Sequence, residues 1–134
     1  MPEAAKPNAP RVHWVEHNDQ RVLLVDISGG AAADIEAGLS MIQRYITSQP
    51  ANSVLVLSDW TNADINKELL TRLKKMAVYD RPHVKRSAIV APAKSRELVR
   101  AMETFSARKN IVVFETRHQA MEWLTSGDSQ GERR

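Results

Sequence analysis

Apolar residues along this chain follow two patterns, short near-continuous runs and stripes that return every three or four positions. The runs at 11–16 (RVHWVE), 21–27 (RVLLVDI), 53–58 (SVLVLS), 87–91 (SAIVA) and 110–115 (NIVVFE) are short and rich in β-branched residues, which predicts strands. The stripes predict amphipathic helices: Ile35, Leu39, Ile42 and Ile46, then Ile65, Leu69, Leu73 and Met76, then Leu98, Met102 and Phe105, and finally Ala120, Met121, Trp123 and Leu124. Between the first two runs, His17-Asn18-Asp19-Gln20 is a short polar connection that suits a hairpin, so those strands should be antiparallel. Ser28-Gly29-Gly30 breaks the extended chain ahead of the first helix, which should end before Pro50. Asn66 is the expected N-cap of the second helix, with Ile65 and Leu70 as its hydrophobic staple. Thr116 and Gln119 have capping-box spacing at the start of the last helix, and Gly127 is expected to end it.

Near-continuous apolar strands joined by helices require parallel strands with right-handed crossovers. The fold class expected is therefore α/β, a five-stranded mixed, mainly parallel sheet with an N-terminal antiparallel hairpin. If successive crossovers all step the same way, the helices gather on one face. Part of the other face and the strand of Trp14 would then lie open, and a homodimer is expected through them. Residues 11–125 form one domain, with 1–10 and 126–134 as flexible tails of polar, proline- or glycine-containing composition.

Composition narrows the function classes. The chain has 134 residues, enough for one core without staples, and no cysteine, which removes disulfides, thiolate metal sites and thiol nucleophiles together. No apolar run approaches the roughly 20 residues that span a bilayer, and 1–10 lacks the apolar centre of a signal peptide. A cytoplasmic protein that does not insert into membranes is expected. The formal net charge is +3, distributed unevenly: residues 67–109 carry twelve Lys and Arg against four Asp and Glu. Lys67, Arg72, Lys74, Lys75, Arg96 and Arg100 read as the solvated faces of two helices. Nucleic acid is not the expected partner, because no stacking platform or recognition motif accompanies the charge.

The segments "RVLLVDISG" running into a helix, "SVLVLSDWTNADINKELL", "RPHVKRSAIVAP" and "IVVFETRHQAMEWL" together resemble the STAS-like proteins, relatives of the bacterial anti-sigma-factor antagonists, over about residues 11–125. The resemblance implies a β-α superhelical domain that acts by binding partners, with lipid-binding CRAL/TRIO domains as more distant structural relatives. Antagonists of the phospho-switch type carry an Asp-Ser-Ser-Gly-like motif at the start of the helix after the third strand. Here the region reads Thr61-Asn62-Ala63-Asp64-Ile65-Asn66, so Thr61 is the only hydroxyl left for phosphorylation there, with Ser58 next nearest.

The end of the third strand, "LSDWTNAD", carries the densest candidate chemistry. Asp59 could be a phosphoacceptor, a metal ligand with Asp26 and Asp64, part of a partner loop, or turn chemistry. Against a receiver domain stand the single acid at Asp26, the hairpin before it, and the absence of a lysine after the last strand. His13 and His17 sit on the predicted hairpin, His83 precedes the fourth strand and His118 opens the last helix, so no pair has i, i+4 spacing on a helix for a metal, and no phosphate loop, nucleophile elbow or dinucleotide fingerprint occurs. Trp60 is either a lid on the core or an exposed contact, whereas Trp14 and Trp123 read as packing residues. The reading is a non-enzymatic, regulatory binding domain without a cofactor, its partner protein unidentified. The surface expected to bind comprises Ser28, Gly29, Gly30, Asp59, Trp60, Thr61, Asn62, Asp64 and Lys94. The alternative is a carrier or sensor of a small apolar or anionic ligand, lipid-like in character, with a cryptic enzyme third. An apolar pocket with Thr61 or Lys94 at its mouth would favour the carrier, and a filled core under a flat loop surface the adaptor.

Overall fold

In the computed structural model, which describes residues 10–91 and 111–132, strand β1 (Arg11–His17) folds back on β2 (Gln20–Asp26) through Asn18 and Asp19. Both turn residues have positive φ, 53° and 65°, the backbone a type I′ hairpin requires and that Asn and Asp tolerate. The chain continues through α1 (Ala32–Thr47), β3 (Val54–Asp59), α2 (Lys67–Asp80), a 3-10 turn (Arg81–His83) and β4 (Val84–Val90), then β5 (Ile111–Phe114) and α3 (Arg117–Glu132). The helix expected through Leu98, Met102 and Phe105 lies outside the described residues, as does Lys94. The strands form one sheet in the order β1-β2-β3-β4-β5, antiparallel between β1 and β2 and parallel elsewhere. This is the mixed α/β sheet expected.

The apolar runs are near-continuous because both faces of the sheet are covered. Leu23 and Val25 of β2, with Val54 and Val56 of β3, face one way and join Ile35, Leu39, Ile42 and Ile46 of α1 and Leu69 and Leu73 of α2. The alternate residues Val22, Leu24, Leu55 and Leu57 face the other way and join Ala120 and Leu124 of α3. The second arrangement corrects an expectation. α3 follows the last strand and is no crossover helix, so the handedness rule does not hold it on the face of α1 and α2. α3 covers part of the far face, while β1, the strand of Trp14, lies at one edge of the sheet.

Two boundaries also differ from expectation. β4 begins at Val84, ahead of Ser87, because Lys85 and Arg86 interrupt the apolar run without interrupting the strand. Arg86 lies over the Trp123 ring, 5.1 Å from its centroid, and donates from Nη1 to the Trp123 carbonyl at 3.0 Å. α3 does not stop at Gly127 but runs to Glu132. A lone glycine inside a helix costs about 1 kcal/mol relative to alanine, too little to end it.

The hairpin turn is tied to α3, with His17 Nε2 2.7 Å from Glu122 Oε2 and Asn18 Nδ2 donating to Thr125 Oγ1 at 3.0 Å. Trp14 packs at the margin of the α1–α2 side of the core, with the Arg21 guanidinium 3.9 Å from its ring centroid. At the start of α2, Asn66 Oδ1 accepts the Leu69 N–H at 2.8 Å, the cap expected. Replacing Asn66 by Ala should lower stability by about 1 kcal/mol and the melting temperature by about 4 °C. Paired urea and thermal denaturation of the two proteins measures this, and an unchanged midpoint would show the cap to be energetically idle.

Candidate functional site

Parallel pairing sets the geometry of the strand-end rim. Asp26 and Asp59 close β2 and β3 and are register partners, so the two carboxylates emerge side by side at the carboxyl edge of the sheet. Each is followed two residues later by a hydroxyl, in Asp26-Ile27-Ser28 and Asp59-Trp60-Thr61. The backbone N–H groups of Ser28 and Thr61 each donate to the Oδ1 of their own aspartate at 3.0 Å. Their hydroxyls donate to the same oxygens at 2.5 and 2.6 Å. These are two copies of one local turn, in which a short polar side chain takes the place of a backbone acceptor.

The Oδ2 atoms that remain are bridged by one guanidinium. Arg117, the first residue of α3, donates from Nε to Asp59 Oδ2 at 2.7 Å and from Nη2 to Asp26 Oδ2 at 3.1 Å. Asp59 is nearly closed to solvent, its side chain 8% exposed, while the Arg117 side chain is 43% exposed. Burial pushes the Asp26 carboxyl up, but the Ser28 hydroxyl and amide and Arg117 outweigh it and hold the group below its ordinary 3.8. Burial likewise lowers Arg117, and the two aspartates more than reverse it.

Backbone bonds join the two loops. Ile27 N–H donates to the Asp59 carbonyl at 3.1 Å, Gly29 N–H to that of Thr61 at 2.8 Å, and Asp64 N–H to that of Gly30 at 2.9 Å. Gly29 has φ +69°, which is why glycine stands there.

The candidate residues separate by burial. Ser28 and Thr61 are half-buried and bound to their aspartates, Gly30 is buried, and Gly29, Asn62 and Asp64 are exposed at the rim. Trp60 is 4% exposed within the core shared with α1 and α2, which answers the lid-or-contact question in favour of the lid and corrects its place on the binding surface. The indole is too large to leave in water when Ala63 and Ile65 offer an apolar seat beside it. The Thr61 hydroxyl lies against the Asp59 carboxylate, where a phosphoryl group would meet like charge. The described residues contain no group of three or more side chains able to hold a metal ion. With every oxygen of Asp26 and Asp59 engaged and a guanidinium between them, the pair acts as a lock holding β2, β3 and α3 together.

Arg117 was missed as a site residue by sequence reasoning, which saw only the Thr116–Gln119 cap around it; Thr116 Oγ1 does accept the Gln119 N–H, at 3.2 Å. A usable signal existed, since Arg117 is the sole Lys or Arg between residues 110 and 132.

Beneath the rim a second feature was not visible in the sequence. Between the sheet and the pair α1 and α2 lies a cavity of about 150 Å³, walled by Val25, Ile35, Leu39, Val56, Trp60 and Leu73 among others. Ser58, Ala77 and Ser87 are small side chains on its lining, and Asp80 and Arg81 are its charged ones. Asp80 is 3% exposed and its Oδ1 has no hydrogen-bond partner. Burial pushes its carboxyl up to about 6, against the opposing effects of a Gln43 hydrogen bond and the His83 charge.

Arg117→Ala should cost about 1–3 kcal/mol at neutral pH, below the 3–5 of a fully buried pair because the guanidinium is partly solvated. A carboxyl held below 3.8 contributes stability above that pH and loses it as pH falls through the folded value. The difference between wild type and Arg117→Ala should therefore shrink below about pH 4, as urea titrations at several pH values would reveal. Trp60→Ala should lower stability by about 3–5 kcal/mol. A variant that instead melts with wild type would return Trp60 to the surface.

No family model matches the chain, and no curated protein sequence does. Among solved structures, an uncharacterised protein of the DUF3478 family from Shewanella loihica PV-4, described as having a SpoIIAA-like fold, superposes with a TM-score of 0.69 at 16% identity. The match covers 92% of this chain and 99% of that one. At that identity the likeness establishes architecture: the chain has the SpoIIAA-like, that is STAS-like, fold that its sequence resembles.

Proposed function

We propose that this domain is a non-enzymatic binding module whose ligand is a small apolar molecule held between the sheet and the helices α1 and α2. The observation that carries the reading is the cavity of about 150 Å³ with a mainly apolar wall. An engineered apolar cavity of about the same volume stays dry and takes up benzene or xenon. The space is of a size to admit a single ring or a short branched chain. Among the described residues the polar groups at the cavity are Ser58, Ser87, Asp80 and Arg81, so the carrier reading stands without Thr61 at the mouth.

A second reading, a regulator that binds a protein through the strand-end loops, draws support from the rim itself. Gly29, Asn62 and Asp64 are exposed there on loops cross-linked by backbone hydrogen bonds and by Arg117. A surface so ordered binds with little entropy loss. Trp60 links the two readings, because it follows Asp59 in the rim and also walls the cavity.

Titration of the protein with benzene, followed by backbone amide shifts, should perturb residues of β2, β3, α1 and α2 around the cavity and leave α3 unmoved. Ala77→Leu should fill part of the space, abolish those shifts and leave stability equal or higher. Shifts spread evenly over the surface, or retained in Ala77→Leu, would defeat the cavity reading.

A further inference from the structure

We infer that the ligand of this cavity is a small neutral molecule with a carbonyl oxygen, recognised by the hydroxyls of Ser58 and Ser87; the inference rests on the cavity reading above. Both serines line the cavity. Side chains alternate between the two faces of a strand, and Val56 and Ile89, each two residues from a serine on its own strand, belong to the core under α1 and α2. Ser58 and Ser87 therefore stand on that face, at the floor of the cavity. In register, Ser58 lies between Val25 of β2 and Ile89 of β4, and Ser87 between Val56 of β3 and Ile111 of β5. All four neighbours also line the cavity. The two hydroxyls are polar points set into an aliphatic floor.

The fold makes no use of either hydroxyl. Other hydroxyls bond within their own turns or helices, as Ser28, Ser53, Thr61 and Thr71 do. Those of Ser58 and Ser87 take no hydrogen bond from, and give none to, any described residue. Neither is sealed off, however. Among the described residues, the side-chain atom that is both closed to water and without a partner is Asp80 Oδ1. The two serine oxygens therefore border open space, and on this face of the sheet that space is the cavity. A hydroxyl left unbonded in an apolar setting is a donor awaiting an acceptor, and a carbonyl oxygen, with two lone pairs and no proton, complements it. The charged side chains of the lining, Asp80 and Arg81, are of opposite sign and adjacent in the chain, so the cavity favours a ligand without net charge.

The test uses the full chain and two ring probes of similar size, cyclopentane and cyclopentanone, titrated at neutral pH with amide shifts as the readout. Leaving water costs the ketone its hydrogen bonds, so in a cavity without donors it should bind about a hundredfold or more weaker than the hydrocarbon. With the serines donating, it should bind within about tenfold of cyclopentane. In the double variant Ser58→Ala, Ser87→Ala the ketone should lose about tenfold in affinity, while cyclopentane binds as well as before or slightly better. A wild-type gap larger than tenfold overturns the role of the serines, whose hydroxyls would then hold water alone, and leaves the cavity reading intact. Ketone affinity unchanged in the double variant, or an equal loss for both probes, likewise overturns it. Failure of both probes to bind overturns the cavity reading and this inference together. The wild-type comparison needs no variant to fold.

Discussion

Placing two carboxylates on adjacent strand ends is the electrostatic problem around which the carboxyl edge of this sheet is built. Asp26 and Asp59 are register neighbours, and like charges brought together away from water repel strongly. Arg117 solves the problem from a third element, with one nitrogen for each carboxylate. Lysine would serve poorly, because a point charge cannot present two fixed donors to two separate acceptors. The solution also fixes where α3 begins. A helix that must deliver its first side chain between the ends of β2 and β3 starts at that edge and then runs over the face made by Val22, Leu24, Leu55 and Leu57. The covering of the second face follows from the same contact. The other end of that arrangement is held by the hairpin turn, through Glu122 and Thr125.

The opposite face is packed less completely. α1 and α2 bring long aliphatic side chains to β2, β3 and β4, yet Ser58, Ala77 and Ser87 contribute little volume where those elements meet. Ser58 and Ser87 stand on neighbouring strands, and larger apolar residues there would narrow the gap. Ordinary core packing favours filling such a space, but natural chains need only exceed a stability threshold and commonly keep gaps that larger side chains could fill. The gap is set by small residues on two neighbouring strands and one helix, inside layers that are otherwise filled by long aliphatic side chains.

Most of the architecture was legible in the sequence because it depends on local chemistry and periodicity. The α1 stripe of Ile35, Leu39, Ile42 and Ile46 is buried throughout, Asn66 caps α2, and the Asn18-Asp19 turn takes the backbone its residues suggest. The misreadings involve information that neighbouring positions do not carry. The face chosen by α3 is decided by a contact between Arg117 and residues 58 and 91 positions earlier. Trp60 looked equally suited to a surface or a core, since burial of an aromatic depends on what the fold brings over it. Asp59 and Asp26 were noticed for their type and strand-end position, but their role as a lock needed the cation between them. The cavity is a shortage of volume, and a shortage leaves no motif.

Asp59 and Asp80 show how far identity alone underdetermines chemistry. Both are buried to a similar degree, 6% and 3% exposed. Asp59 receives the Thr61 amide and hydroxyl on one oxygen and Arg117 on the other, so its charge is spent on holding elements together. Asp80 is left with one oxygen unmatched. A carboxylate without a partner weakens a fold, whereas one with a full shell of donors strengthens it. The chain thus applies the same side chain to opposite ends: the satisfied copy stiffens the rim, and the other keeps one oxygen buried without a partner.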